Sequence, residues 1–334
     1  MGSGSIAYNR GNEHYLANRT RMRSPATPEF HPALGRVIRE ACGIILGKER
    51  QIRLALACLL AHGHLLIEDL PGVGKTTLAQ VLARLLGLHF QRIQFTSDML
   101  PADILGVSVF DRENGNFRFH PGPVFSQLIL ADEVNRATPK TQSALLEAME
   151  ERQVTIEGAT RPLPVPFFVI ATQNPSYQVG TFPLPESQLD RFLMRIELGY
   201  PDRDAERELL SGADRRQLAA HLAPCLGEEE LAALQRQANT VRASDALIDY
   251  VQALVQFTRQ APDFASGLSP RAALAILAAA RGWALLHARD HVLPEDVQAV
   301  LPGVVGHRLR PADARSMRTA GMIADALIQA VAVS

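Results

Sequence analysis

The chain has 334 residues, 47% of them hydrophobic and 21% charged, enough for roughly two domains with sizeable cores and more than a minimal module. Lys plus Arg number 34 and Asp plus Glu 35, for a formal charge of −1, so no global basic excess of the kind that engages nucleic acid or an anionic membrane is present. Cys42, Cys58 and Cys225 are scattered without metal-ligand spacing, which excludes a disulfide framework or zinc site and fits reduced thiols in a cytoplasmic protein.

Residues 1–31, rich in Gly, Ser, Asn and Arg, lack the apolar segment of a secretory signal and read as a flexible tail. From Pro32, ALGRVIREACGIILG places apolar residues at helical spacing and stops at Gly47, predicting a helix that ends in a glycine turn. A second predicted helix, 48–62, is apolar on most faces and therefore buried. The apolar stretch from Leu54 to Ile67 is broken by His62, Gly63 and His64 and falls short of the ~20 residues of a membrane span. Those two histidines flank a glycine and read as turn residues rather than metal ligands. Apolar runs of strand length follow at 64–68, 89–94, 127–131 and 167–171. They are continuous rather than alternating, so the sheet they form is covered on both faces. Helical stretches at 75–86, 139–151 and 185–193 make it a parallel α/β sheet. After Pro201 the periodicity is helical throughout, with no convincing strand. The predicted organisation is a tail (1–31), an α/β core (32–200) and a small all-helical domain (201–334).

The strongest local signal is DLPGVGKTT, in the order strand, glycine turn, helix that a phosphate loop requires. Gly72 and Gly74 let backbone N–H groups turn inward around phosphate oxygens, and the helix N-terminus adds its positive dipole end. Lys75 would neutralise β- and γ-phosphate charge while the Thr76 hydroxyl ligates Mg²⁺. Lysine is scarce here, with only Lys48, Lys75 and Lys140 in the chain, which adds weight to this position. Asp69 stands where the pattern G-x-x-x-x-G-K-[ST] has its first glycine, so the match is not strict. About 55 residues on, LILADEVNRA ends an apolar strand in Asp132 and Glu133, suited to holding Mg²⁺ through water and to polarising the attacking water. Adjacent acids also occur at ordinary helix starts; the upstream phosphate loop selects the catalytic reading. FFVIATQNP ends in Thr172, Gln173 and Asn174. Asn174 either orients the attacking water at the sheet's carboxyl edge, where open α/β sheets bind ligands, or makes a turn before Pro175. Arg191 in PLPESQLDRFLM and Arg271 in GLSPRAALAIL stand at helix boundaries, positions that suit a charge aimed at a ligand, although an isolated arginine there is more often a surface or carboxylate-pairing residue.

Together DLPGVGKTT, LILADEVNRATPKTQSALLEAMEERQVTIEG, ATQNP, FPLPESQLDRF and GLSPRAA closely resemble the MoxR family of AAA+ ATPases, from about Pro32 to Leu309. The resemblance implies an αβα core, a helical lid, a homo-oligomeric and hexameric ring, and ATP with Mg²⁺ as ligands. It assigns Pro71, Gly72, Val73, Gly74, Lys75, Thr76 and Thr77 to the nucleotide loop. Thr76 and Asp132 go to the metal, Glu133 to the catalytic base and Asn174 to sensor 1. Arg191 looks like the arginine finger offered to the neighbouring subunit, and Arg271 like the sensor 2 arginine that reaches the γ-phosphate from the lid. Ile45, Leu46 and Gly47 lie where adenine packs. Two insertions are also implied. One is a hairpin between residues 103 and 124 that turns at Asn114 and Gly115, where φ > 0 is cheap, inside what would be the second core helix. The other, RQVTIEGATRPLP, turns near Glu157 and Gly158. Such insertions line the central face of related rings and touch substrate. Phe110, Phe117 and Phe119 are therefore either client contacts or packing within the hairpin.

Relatives act as chaperone-like remodellers that help mature or activate other proteins, often by metal or cofactor insertion and frequently with a von Willebrand factor A-domain partner. No D-x-S-x-S string occurs in this sequence, so such a partner would be a separate chain. A metal-chelatase or Rubisco-activase type motor shares the core and the insertions. A nucleotide-gated scaffold would not need Glu133, Asn174 and Arg191 together. A nucleic-acid motor would need basic hairpin tips, whereas Arg112 and Arg118 are offset by Asp111 and Glu113, and Arg152 and Arg161 by Glu151 and Glu157.

Overall fold

The computed structural model describes residues 30–174, 180–313 and 318–333; residues 1–29 of the expected tail and Pro175 lie outside them. In chain order the elements are α1 (Pro32–Ile44), α2 (Glu49–Leu60), β1 (Leu65–Glu68), α3 (Lys75–Leu85), β2 (Phe90–Gln94), α4 (Pro101–Leu105), β3 (Gly106–Asp111) and β4 (Asn116–Pro121). Then come β5 (Leu128–Asp132), α5 (Pro139–Glu151), β6 (Gln153–Ile156), β7 (Ala159–Pro162), β8 (Phe168–Gln173), α6 (Glu186–Leu189) and β9 (Met194–Ile196). The remainder is helical: α7 (Arg203–Ser211), α8 (Arg215–Ala220), α9 (Glu228–Thr240), α10 (Asp245–Gln260), α11 (Pro270–Leu286), α12 (Pro294–Val305) and α13 (Ala320–Ala330).

Five strands form one parallel sheet in the order β2-β5-β8-β1-β9. Its continuous apolar strands are buried on both faces, as the sequence pattern requires. Leu65, Ile67, Leu128, Leu130, Phe168 and Ile170 join the cluster that contains α1, α2, α3 and the C-terminal helices. Leu66, Ile129, Ala131, Val169 and Ala171 face the opposite way, with Leu145, Leu146 and Met149 of α5. The C-terminal helices thus pack directly on the core. Gly282 of α11 lies so close to α2 that a Cβ there would stand 2.6 Å from the Ala57 carbonyl oxygen.

Two local expectations change. The stretch 185–193, read as a helix, holds only the short α6, and Met194–Ile196 adds a fifth strand beside β1. Three alternating residues are too few to register as a strand before a long helical region. The first hairpin closes through a four-residue loop, 112–115, rather than a two-residue turn. Asp111 Oδ1 accepts the N–H groups of Glu113 and Asn114 at 3.0 and 3.3 Å, and the Gly115 N–H reaches the Asp111 carbonyl at 2.9 Å. An aspartate accepting N–H groups two and three residues on makes its own turn, so only Gly115 takes a positive φ, +64°. The second hairpin turns at Glu157 and Gly158, both at positive φ, the two-residue geometry that matches strand twist. Phe119 packs inside, against Phe125 and under the Arg161 guanidinium of the second hairpin. Phe110 and Phe117 pack edge to face with ring centroids 5.3 Å apart yet stay 50% and 70% exposed.

Gly282→Ala is expected to lower the free energy of unfolding by about 1–3 kcal/mol, because its methyl meets backbone that cannot yield. Gly43→Ala, on α1 with open space around it, should instead raise it by about 0.4–1 kcal/mol. Urea unfolding of the two variants measures both.

Candidate nucleotide site

The phosphate loop follows β1 at the carboxyl edge of the sheet. Gly72 and Gly74 take φ of +85° and +98° with nothing within 4 Å of where a Cβ would stand. This is the open, inward-turned backbone that an anion cradle needs. Gly74 caps α3, so Lys75 and Thr76 open that helix. The Lys75 side chain is buried. Its Nζ donates to the Asp69 carbonyl at 2.6 Å and to Asn174 Oδ1 at 3.3 Å. Burial lowers its pKa against the opposing pull of Asp69, Asp132 and Glu133. Pro71 is exposed, Val73 and Thr77 are half-buried.

Two neighbouring strand ends complete this edge. Asp132 is buried and held twice: Thr172 Oγ1 donates to Oδ1 at 2.6 Å, and Arg92 of β2 pairs with Oδ2 at 2.7 Å. Thr172 Oγ1 also accepts the Glu133 N–H at 2.9 Å, which fixes the left-handed Glu133 backbone at φ +57°. The Glu133 carboxylate accepts Asn174 Nδ2 at 2.9 Å, Gln94 Nε2 at 3.1 Å and Arg136 Nε at 2.8 Å. Asn174 thus bridges Lys75 and Glu133. Ile45, the C-cap of α1, Leu46 and Gly47 follow that helix. A Cβ on Gly47 would lie 3.3 Å from both Asp202 and Ala205.

Arg191 and Arg271 stand elsewhere. Each pairs with the carboxylate of Glu150, Arg191 Nε at 3.1 Å and Arg271 through Nη2. Glu150 lies in the last turn of α5, which runs back from the carboxyl edge to the amino edge. The last turn of α5 is tied there by His64 Nε2 to the Met149 carbonyl and by Arg152 to the His62 carbonyl. Arg271 is thus held by Glu150 beside Arg191, at the amino-edge end of α5. The strand β1, four residues at ~3.3 Å each, sets about 13 Å between its amino end and the loop that follows it. Arg308, almost fully buried, holds the turn that carries Arg191. It pairs with Asp190 at 2.6 Å and donates to the Phe192 and Leu193 carbonyls. Ser269 caps α11, which sets Arg271 in the first turn, and its hydroxyl donates to Asp190.

Sequence reasoning missed Arg92, Gln94, Thr172, Glu150, Asp190 and Arg308. Thr172 was visible as the polar step ending its strand; the others carry no local signal, since their partners lie 39 to 121 residues away.

Residues 64–194 match the ATPase family associated with various cellular activities (AAA), and residues 256–329 match the AAA lid domain. The chain is 47% identical to YeaC of Bacillus subtilis, over 84% of this chain and 88% of that protein. It is 44% identical to chaperone MoxR1 of Mycobacterium tuberculosis, over 84% and 76% respectively. A crystal structure from Cytophaga hutchinsonii superposes with a TM-score of 0.81 at 36% identity, covering 90% of this chain and 95% of that one. A phosphate-loop core of this kind, two hairpin insertions and a packed helical lid are those of an AAA+ ATPase. The chain belongs to the MoxR family of these ATPases.

His64, which ties α5 to the sheet beside Glu150, also accepts the Val169 N–H on Nδ1 at 3.0 Å. Burial, with the Arg152 charge adding to it, lowers its pKa from 6.5 to about 4. The unfolded chain therefore takes up a proton that the folded one refuses, and stability falls as pH drops from 6.5 towards 4. Urea unfolding should find this group contributing about 2 kcal/mol less stability at pH 5 than at pH 7, and His64→Gln should lose that part of the pH dependence.

Proposed function

We propose that the chain hydrolyses ATP with Mg²⁺ inside a ring of its own copies, hexameric as the family resemblance implies, and uses the cycle to remodel a protein client. The observation that carries this reading is the division of the site: an acid, an amide and a lysine at one sheet edge, two arginines on one carboxylate at the other. A complete site then needs the carboxyl edge of one subunit and the amino edge of the next.

In this reading Pro71 to Thr77 cradle the phosphates, and Lys75 exchanges the Asp69 carbonyl for a phosphate oxygen. Thr76 would hold Mg²⁺ directly and Asp132 through water, a sparse set that suits an ion which keeps waters and phosphate oxygens; among the described residues no cluster of three or more His, Cys, Asp or Glu competes for it. Bound there, the ion would neutralise the charge that develops on the transferred phosphoryl group. Glu133 accepts the proton of the attacking water, and Asn174, bonded to both Glu133 and Lys75, fixes where that water sits. Arg191 and Arg271 of the neighbour approach the γ-phosphate, leaving Glu150 as they do so, and Ile45, Leu46 and Gly47 flank the adenine. Phe110 and Phe117 offer the client an exposed aromatic pair. A chaperone role, with a separate von Willebrand factor A-domain protein as partner, rests on the family and on the name of the mycobacterial relative. Among the described residues no helix is long and apolar enough to cross a membrane.

Glu133→Gln is expected to bind a fluorescent ATP analogue normally and to lose more than about 10²-fold in turnover. Arg191→Ala should still assemble, by light scattering, yet lose about 10³-fold or more, the usual worth of a finger supplied in trans. Full turnover by dilute, monomeric Arg191→Ala protein would contradict the shared site, and nucleotide binding without turnover at every wild-type concentration would favour a nucleotide-gated scaffold.

A further inference from the structure

Asp69 occupies the position of the first glycine in a conventional phosphate loop, and its side chain is fully engaged. Oδ2 accepts the N–H groups of Leu198 and Gly199 at 2.6 and 2.7 Å, and Oδ1 accepts that of Leu70 at 2.7 Å. Leu198 and Gly199 follow β9, the strand paired with β1, and lie in the stretch 197–202 by which the chain leaves the sheet for α7 and the lid. The same stretch is gripped from its other side, where Lys48 Nζ donates to the Tyr200 carbonyl at 2.7 Å and Gly47 abuts Asp202. Gly199 itself sits at φ +64°, a joint that side chains rarely tolerate. Asp69 therefore has its carbonyl on Lys75, the group a phosphate claims, and its carboxylate on the lid connection. Charge-assisted bonds of this kind are among the stronger ones. A glycine would leave the Leu198 and Gly199 N–H groups without that acceptor.

We propose that Asp69 is a positioning residue that transmits occupancy of the phosphate loop to the lid connection, and so sets the lid's Arg271 against the neighbouring subunit's site. The inference rests on the ATPase reading above. Lys75 has two partners for the two states, the Asp69 carbonyl without phosphate and a phosphate oxygen with it, which gives the differential contact any coupled change requires. The carboxylate joins the loop and residues 198–199 into one body, so a shift of the first moves the second.

The test restores the conventional glycine. Hydrogen exchange across residues 197–211 is measured in full-length wild type and Asp69→Gly, with and without a non-hydrolysable ATP analogue and Mg²⁺, beside nucleotide affinity and turnover. Wild type should gain protection in this stretch on binding. Asp69→Gly should bind within about threefold of wild type, gain no protection there, and lose about tenfold in kcat with little change in KM, as expected for a lost set of bonds to a charged group. Asp69→Asn, which keeps an oxygen for Leu198 and Gly199, should fall between them, and it carries the same comparison if Asp69→Gly fails to fold. Retained protection and retained kcat in Asp69→Gly would overturn the proposal. So would a wild type that binds the analogue without any change at 197–211, an outcome that leaves the ATPase reading standing. A wild type that binds no nucleotide would overturn both.

Discussion

A parallel sheet has a carboxyl edge and an amino edge, and a group rooted at one is held a full strand length from the other. Every functional placement in this chain follows from that polarity. Parallel pairing brings the phosphate loop, Asp132, Glu133 and Asn174 to the shared carboxyl edge of β1, β5 and β8. The return run of α5 and the entry to β9 put Glu150 and Arg191 at the amino edge, and packing of α11 against α2 brings Arg271 beside them. On the function proposed above, such a molecule would offer half a site on each of two faces, which is the condition for a head-to-tail ring.

Electrostatics at the two edges are balanced locally. At the carboxyl edge a buried ammonium is offset by a carbonyl, an amide oxygen and nearby carboxylates, so the loop is stable without phosphate but remains able to exchange its partners. At the amino edge Glu150 offsets two arginines that would otherwise repel each other, and it holds both in one orientation. A single carboxylate shared by two cations is a partner that a polyphosphate can outcompete.

What was legible in the sequence was what chemistry keeps contiguous. The loop Pro71–Thr77, the acids at the end of β5 and the polar step at the end of β8 are runs of a few residues, each at a strand end on the carboxyl edge of the sheet. The sheet's two-sided burial was legible for the same reason, since Leu65, Leu66 and Ile67 must all be apolar. Partners across the fold were not. Arg92 and Gln94 alternate on an edge strand like ordinary surface residues, and only the pairing of β2 with β5 brings them to Asp132 and Glu133. Glu150 looks like one more acid on an amphipathic helix until β9 and α11 arrive beside it. The Asp111 side chain overrode the turn that Asn114 and Gly115 favour on their own, and β9 was too short to stand out from its surroundings. Asp69 was visible as a departure from a pattern, but its purpose depends on residues 129 and 130 positions away.

The central claim is that a working site is shared between two copies of the chain, and subunit mixing tests it most directly. Lys75→Ala removes the receiving half of the site and Arg191→Ala the donating half, so each variant alone should be inactive. Mixed in equal amounts and allowed to reassemble, they create intact junctions at about one interface in four for a head-to-tail ring, and turnover should return to about that fraction of wild type. Mixed rings that form but stay inactive would contradict the account, as each subunit would then be supplying both halves of its own site.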